Sequence, residues 1–345
     1  MSRVVRVGII GCGKIAQVRH IPEYAKLKNV EIRAVCDMNI NRAREVADQF
    51  KIPQVYGDYR ELLQMPDLDA VSICTPNMYH AAIAMEALQK GIHVLVEKPL
   101  ATTLSDCQEM AIAAEQSHAF LMVGHNQRFS PVHQRVKAFL QTNELGRIYQ
   151  FSTSFHHGGP EHWSIDKENS WFFSQKEAGF GVIGDLGVHK LDLIHWLLDD
   201  EIDEISALQG ALRQEISVED HAVIMARTKK GAIGTISLSW NNPVQEHRTV
   251  LYGEHGVLTF GETLFGFQVA YHNGRLRDEE VDPILRPDGM LDSGVIQHFV
   301  QCIREGKQPE TSASAVLPVM DAIFRLAKGH SSSCSVLARN PEKKS

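Results

Sequence analysis

Long hydrophobic runs are missing from this 345-residue chain: no apolar stretch approaches about 18 residues, so no membrane-spanning helix is expected. Cysteines are few and scattered. The six, at positions 12, 36, 74, 107, 302 and 334, include no CxxC pair, which argues against a disulfide framework and a structural zinc site. No block of Lys or Arg is present, and 35 basic residues stand against 42 acidic ones, for a net charge of −7. Such a chain carries no electrostatic footprint for sequence-independent nucleic-acid binding. No apolar leader with a small-residue cleavage site is expected, because Met1–Gly11 runs directly into a strand-like segment. Internal repeats are absent. At 43% hydrophobic and 22% charged residues, with 13 Pro and 25 Gly, the composition is that of an ordinary globular protein. A soluble, cytoplasmic, reduced protein of about two domains is expected, at roughly 150 residues per domain. Seventeen histidines are the number left to explain.

The first 125 residues alternate two kinds of segment. Short β-branched runs at Val4–Ile10, Glu31–Cys36, Ala70–Cys74, His93–Val96 and Phe120–Val123 suit strands buried on both faces. Helix-like stretches lie between them at Asn41–Phe50, Met78–Lys90 and Ser105–Ser117, the second ending at Gly91, a C-terminal stop signal. This alternation predicts right-handed crossovers and a doubly wound parallel sheet. After Leu145–Gly146 strands follow one another directly: Ile148–Phe155, Ile205–Leu212, Ala222–Arg227, Ala232–Trp240, Arg248–Tyr252 and Val257–Phe260. One helical stretch, Leu186–Leu198, interrupts them, and Gly294–Arg304 and Ser312–Lys328 close the fold. The expected architecture is therefore an α/β dinucleotide-binding domain over residues 1–125, then an α+β domain over 126–330 with a largely antiparallel open sheet. That second domain would carry substrate binding and oligomerisation, its late helix returning to the first domain, and a loosely ordered tail would occupy 331–345.

The glycine-rich turn VRVGIIGCGKIA places Gly11-x-Gly13-x-x-Ala16 directly after a strand and at the opening of a helix. The first glycine permits the tight turn, the second lets a pyrophosphate approach the backbone, and the small third position lets helix and strand pack closely. Unpaired N–H groups at the helix start, around Lys14 and Ile15, suit a phosphate. At the end of the second strand stands Asp37, about 20 residues on, where a carboxylate accepts from a ribose 2′-OH. The same carboxylate repels a 2′-phosphate, so NAD(H) is expected over NADP(H). Arg42 and Arg44 lie close by and read as solvated helix charges that could soften the preference.

In a doubly wound sheet ligands gather outside the carboxyl ends of the strands. Cys74-Thr75-Pro76-Asn77, with His80 beyond, and Glu97-Lys98-Pro99 fall there. Asn77 also reads as a helix cap. Lys98 ends a buried apolar strand and precedes a proline, so it should point into a crevice. In the second domain Asp185 and His189 are one helical turn apart. They form either a general base with an orienting carboxylate, or a cap and a packing residue. A metal reading of Asp185, His189, Asp192 and His195 fails, since His195 points roughly 120° away from His189 on an ideal helix and no Cys/His set completes a site.

VGIIGCGKIA, CTPNMYH, VEKPL and GDLGVHKLDL, in that order, resemble the glucose–fructose oxidoreductase / inositol dehydrogenase / rhizopine-catabolism oxidoreductase family over residues 1 to about 330. The resemblance implies a Rossmann domain plus an α+β domain, and transfer of hydride between a secondary hydroxyl of a sugar, sugar derivative or inositol and a nicotinamide cofactor. It implies catalytic roles for Lys98, Asp185 and His189, with Lys98 touching both substrate and nicotinamide. Cofactor contacts are implied for Thr75, Asn77, His80 and Glu97, and Asn126 and Arg128 would lie near nicotinamide and substrate. With the residues named above, the expected cofactor set is Gly11, Gly13, Lys14, Ile15, Ala16, Asp37, Cys74, Thr75, Pro76, Asn77, His80, Glu97, Lys98 and Asn126. The expected substrate set is Lys98, Arg128, His157, Trp163, Asp185 and His189, while Trp171 reads rather as core. A homodimer or homotetramer would form through the open sheet. Two departures stand out: Gly179-Phe180-Gly181 where many members have three glycines, and a serine-rich basic tail without the closing strand. Two rival functions share the fold: a redox-neutral, NAD-dependent glycosidase and a non-catalytic dinucleotide sensor.

Overall fold

The computed structural model describes residues 3–261 and 265–328. The tail expected to be loosely ordered lies outside the described residues. In the first half, β1 (Val5–Ile10), α1 (Ile21–Ala25), β2 (Val30–Cys36), α2 (Ile40–Phe50), β3 (Gln54–Tyr56), α3 (Tyr59–Leu62), β4 (Ala70–Ile73), α4 (His80–Gln89), β5 (His93–Val96), α5 (Leu104–Gln116) and β6 (Leu121–Val123) alternate. The six strands form one parallel sheet in the order β3-β2-β1-β4-β5-β6, which is the expected doubly wound arrangement. β4 is buried throughout and β5 nearly so, because helices cover both faces. β3 went unanticipated: a three-residue, half-buried edge strand is too short to leave a periodic signal.

The second half contains α6 (Pro131–Gln141), β7 (Ile148–His156), α7 (Gln175–Ala178), α8 (Val188–Leu198), β8 (Ile202–Gly210), β9 (His221–Thr228), β10 (Ile233–Ser239), β11 (Thr249–Gly253), β12 (Gly256–Phe260), β13 (Gly266–Tyr271), β14 (Leu276–Glu280), α9 (Val295–Glu305) and α10 (Ala313–Lys328). Its sheet runs β14-β13-β12-β11-β7-β10-β9-β8, with β7 and β10 parallel and every other neighbouring pair antiparallel. Alternation decides which face is inside. In β9, Ala222, Ile224 and Ala226 turn into the core, while Val223 and Met225 stay exposed. Exposed Leu208 and Ile233 extend that apolar face on the neighbouring strands. α6, α7, β13 and β14 are additions to the expected elements. α6 begins at a Pro in its first turn, and β14 is an edge strand of mostly charged residues whose polarity hid it.

Both late helices return to the first sheet. Val295, Ile296, Phe299 and Val300 of α9 share a core with Val7, Ile9, Leu95 and Met122, and α10 packs on α5 and α8. The Thr311 hydroxyl donates to the carbonyl of Val123 at 2.7 Å, and Met122 pairs with Ser312. The carboxyl ends of β1, β2, β4 and β5 thereby face the segment between β7 and α8. Among the described residues no helix is long and apolar enough to cross a membrane.

Candidate active site

A cleft of about 940 Å³ opens at that junction, near the upper end of the usual range for cofactor pockets. Gly11, Gly13, Lys14, Ile15, Asp37, Cys74, Thr75, Pro76, Asn77, Glu97, Lys98, His157, Trp163, Asp185 and His189 all line it. Residues far apart in the chain are brought together here.

At the cofactor end, Gly11 adopts φ +92°, and a Cβ there would sit 2.6 Å from the Cys74 carbonyl. Only glycine fits both requirements. A Cβ on Gly13, by contrast, would meet nothing nearer than the Cys74 oxygen at 4.0 Å, so its face toward the cleft is open. Asp37 accepts from the Cys12 N–H through Oδ2 and from the Asn39 N–H through Oδ1, both at 2.8 Å. These two bonds hold the carboxylate at the rim of the cleft. The Thr75 hydroxyl is buried and has no partner among the described residues. An open phosphate approach, a fixed carboxylate and an orphaned hydroxyl in one groove fit a dinucleotide.

The chemistry-bearing end begins where β5 stops. Lys98 leaves the sheet there, its bond to Pro99 cis, and its Nζ donates to Asp185 Oδ1 at 2.7 Å and to the Asp185 carbonyl at 3.2 Å. Asp185 Oδ2 accepts from the indole N–H of Trp240 at 3.2 Å. Asp185 lies in a wide π-type turn, Ile183–Gly187, continuous with α8. Glu219 anchors this turn by accepting from the N–H groups of Gly181 and Ile183 at 2.9 and 3.0 Å. A Cβ on Gly181 would come within 1.8 Å of the Glu219 carbonyl, so the glycine kept from the altered triple-glycine segment is required by this close approach. His189 follows one turn later, half-buried at the cleft wall; its Nδ1 is buried and has no partner among the described residues. Burial, then the Lys98 ammonium and His125, hold its imidazole well below the usual histidine range, in the neutral form.

Beneath the cleft Glu97 pairs with His20, Oε1 to Nε2 at 2.9 Å. Burial pushes the Glu97 carboxyl up, but the His20 bond and charge outweigh it and leave the group at about 2. Asn77 caps no helix. Its Nδ2 donates to the Ala178 carbonyl at 2.8 Å, tying the two halves of the chain.

Four expected contacts fall elsewhere. Arg128 does not face the cleft: it is buried and grips Asp192, Nε to Oδ2 at 2.9 Å and Nη2 to Oδ1 at 2.6 Å. His80 is fully buried, with Nδ1 and Nε2 near the carbonyls of Pro99 and Thr75 at 2.9 and 3.1 Å, and braces the strand-end loops from behind. Asn126 opens a short turn and is not among the residues that line the cleft, and Ala16 is core, as its packing reason requires. Other residues join the site unannounced. Trp171 lines the cleft rather than the core, its ring stacked on Phe172 at 3.8 Å, with Trp163 edge-on to Phe172 at 4.9 Å. Arg42 is not a free helix charge: its Nη2 reaches Asp166 Oδ1 at 2.7 Å across the cleft. Trp240 left no sequence signal as a site residue, since it reads only as the end of an apolar strand.

Comparison with known proteins bears on the whole arrangement. Residues 5–125 match the GFO/IDH/MocA oxidoreductase family, NAD-binding Rossmann fold, and residues 133–259 match the GFO/IDH/MocA C-terminal domain. An inositol 2-dehydrogenase from Acidothermus cellulolyticus is 29% identical over 74% of this chain and 73% of its own. A levoglucosan dehydrogenase from Pseudarthrobacter phenanthrenivorans is 27% identical over 76% of this chain and 74% of its own. Among solved structures, an Agrobacterium radiobacter oxidoreductase in complex with NAD+, L-tartaric acid and magnesium superposes with a TM-score of 0.83 at 25% identity, covering 94% of this chain and 95% of that one. A levoglucosan dehydrogenase in complex with NADH gives a TM-score of 0.83 at 25% identity, over 95% and 98%. The two family matches take in most of the chain, which belongs to the GFO/IDH/MocA family of NAD-binding oxidoreductases.

Proposed function

We propose that the protein oxidises a secondary hydroxyl on the ring of a sugar, sugar derivative or inositol, with His189 as the base, and can run the reverse reduction. The observation that carries this reading is the convergence of Lys98, Asp185 and His189 at one end of the cleft whose other end holds Gly13 and Asp37. The nicotinamide, when bound, takes or returns the hydride. Everything else falls to the chain.

His189, held neutral, accepts the hydroxyl proton as the carbon loses its hydride. The Lys98 ammonium points at the same place and favours the alkoxide that develops on that oxygen. Asp185, fixed between Lys98 and the Trp240 indole, has its carboxylate at the cleft wall, where it accepts from a substrate hydroxyl. Trp163, Trp171 and Phe172 supply an apolar wall suited to the C–H face of a pyranose or inositol ring. Gly13 and Lys14 would hold the pyrophosphate, Asp37 the adenosine ribose, and Thr75 and Glu97 the groove toward the nicotinamide.

A screen of sugars, inositols and sugar acids with NAD+, followed by NADH absorbance, tests the reading. At least one polyol should give steady NADH formation. Turnover on none of them, with NAD+ still bound, would point to the sensor function instead. Self-association through the exposed face of Leu208, Val223, Met225 and Ile233 is part of the same proposal, and a Met225→Glu variant should be monomeric by light scattering.

A further inference from the structure

Arg42 stands in the first turn of α2, its N–H bonded to Asn39 Oδ1 at 3.2 Å, just past Asp37 at the end of β2. Asp37 and Arg42 thus line the adenosine end of the cleft side by side, with Asp58 and Arg60 also in its wall. A dinucleotide with a 2′-phosphate would bring close to two negative charges to this spot. Asp37 opposes that group, whereas a free arginine beside it is the usual means of accepting it. Arg42 is not free. Its Nη2 is held at 2.7 Å by Asp166 Oδ1, from the segment between β7 and α8, a separation of 124 residues. Asp166 itself lines the cleft.

We infer that Asp166 is a positioning residue for cofactor choice: by engaging Arg42 from the second domain it withholds a guanidinium beside Asp37 that would otherwise receive a 2′-phosphate. Selection for NAD+ then rests on two carboxylates of opposite origin. Asp37 of the first sheet repels the phosphate directly, and Asp166 removes its partner. The inference rests on the reading of Asp37 at the adenosine ribose given above. It also ties the aromatic loop to the cofactor groove, since Trp163, Ser164 and Ile165 precede Asp166 on the same segment.

The pair suits this role energetically. Both side chains are partly exposed, 24% for Arg42 and 38% for Asp166. An ion pair in such a setting contributes little to folding, so it can be broken without loss of the fold. It still costs something to displace, because a phosphate must win the guanidinium from a carboxylate already bound.

The test compares binding of NAD+, NADP+, adenosine 5′-monophosphate and adenosine 2′-monophosphate to the full chain and to D166N, R42Q, D166N/R42Q and D37S, by calorimetry without polyol substrate. In D166N the affinity for NADP+ relative to NAD+ should rise about tenfold, as expected for a released guanidinium–phosphate contact. Adenosine 2′-monophosphate should gain in step. In D166N/R42Q the gain should vanish, since Arg42 is its only source. An unchanged ratio in D166N overturns the proposal, and so does a gain that survives R42Q. A D166N variant that weakens all four ligands equally also overturns it and makes the pair a mere strap. The D37S arm separates this failure from that of the underlying reading. If D37S improves NADP+ binding while D166N does not, Asp37 stays at the ribose and only the Asp166 proposal falls. If D37S leaves the NADP+ to NAD+ ratio unchanged, the ribose assignment falls and takes the Asp166 proposal with it.

Discussion

The ammonium of Lys98 and the carboxylate of Asp185 meet at 2.7 Å across the seam between the two sheets. One comes from the end of a buried parallel strand, the other from a wide turn at the head of a helix. Their contact fixes the distance between the groove that fits the cofactor and His189. It also places a positive charge beside an imidazole that burial has already made hard to protonate.

A first prediction concerns that charge. Because His189 is held well below the usual 6.5, its base form persists to low pH, and kcat/KM for alcohol oxidation should stay flat from pH 8 to below pH 6.5. Lys98→Met removes a cation that opposes imidazolium formation. Proton affinity then rises, and the acid limb should move upward in pH. The same substitution should cost roughly 10²–10³-fold in kcat through loss of alkoxide stabilisation. A pH–rate profile of the variant checks both; a limb that does not move contradicts the electrostatic coupling.

Asp37→Ala should raise the KM for NAD+ by about tenfold or more, since a charged acceptor at the ribose is lost. The polyol KM, measured at saturating NAD+, should change far less. Equal change in both would place Asp37 outside the ribose contact.

Arg128→Ala should act on folding rather than on substrate affinity. Arg128 and Asp192 form a buried two-point ion pair, and removal of one partner leaves the other charge uncompensated, a loss of about 3–5 kcal/mol. Denaturant titration should show a large fall in midpoint. A stable variant with a raised polyol KM would restore the substrate role that the sequence suggested.

Much of the fold was legible before the structure because it follows from strong local patterns. β4 and β5 are short runs of buried residues, and Gly11 occupies a position where only a missing Cβ serves. That Lys98, Asp185 and His189 share one cleft was legible only in part from spacing; one helical turn between an acid and a histidine also describes a cap and a core residue. Arg128, Trp171 and Arg42 were misplaced for a common reason. Whether a polar or aromatic side chain meets solvent, core or cleft depends on partners distant in sequence: Asp192 for Arg128, Phe172 and the opposite wall for Trp171, Asp166 for Arg42. Trp240 belongs with them, since its hydrogen bond to Asp185 spans 55 residues. β14 was hidden because an exposed edge strand is held by its backbone ladder while its side chains stay polar.

Next to His189 in sequence, and bonded to His247, lies an unusual cation. Lys190 is buried without a carboxylate partner among the described residues; its Nζ donates to the His247 carbonyl at 3.3 Å. Burial lowers it from 10.5 to about 7. Between those values the unfolded chain binds the proton and the folded one does not, so stability rises with pH across that window. Lys190→Met should therefore stabilise the protein at pH 7, by roughly 1–3 kcal/mol. Its advantage should shrink as pH approaches 10. Thermal melts of both proteins from pH 7 to 10 decide this, and an advantage that grows with pH would contradict it.

The most direct measurement is single-turnover and steady-state kinetics of His189→Asn with the polyol that the screen identifies. With His189 as the proton acceptor, kcat should fall by roughly 10²–10⁴-fold, while NAD+ affinity and thermal stability remain near those of the parent. Turnover within a few-fold of the parent, at any pH between 6 and 9, would contradict the assignment of His189 as the base.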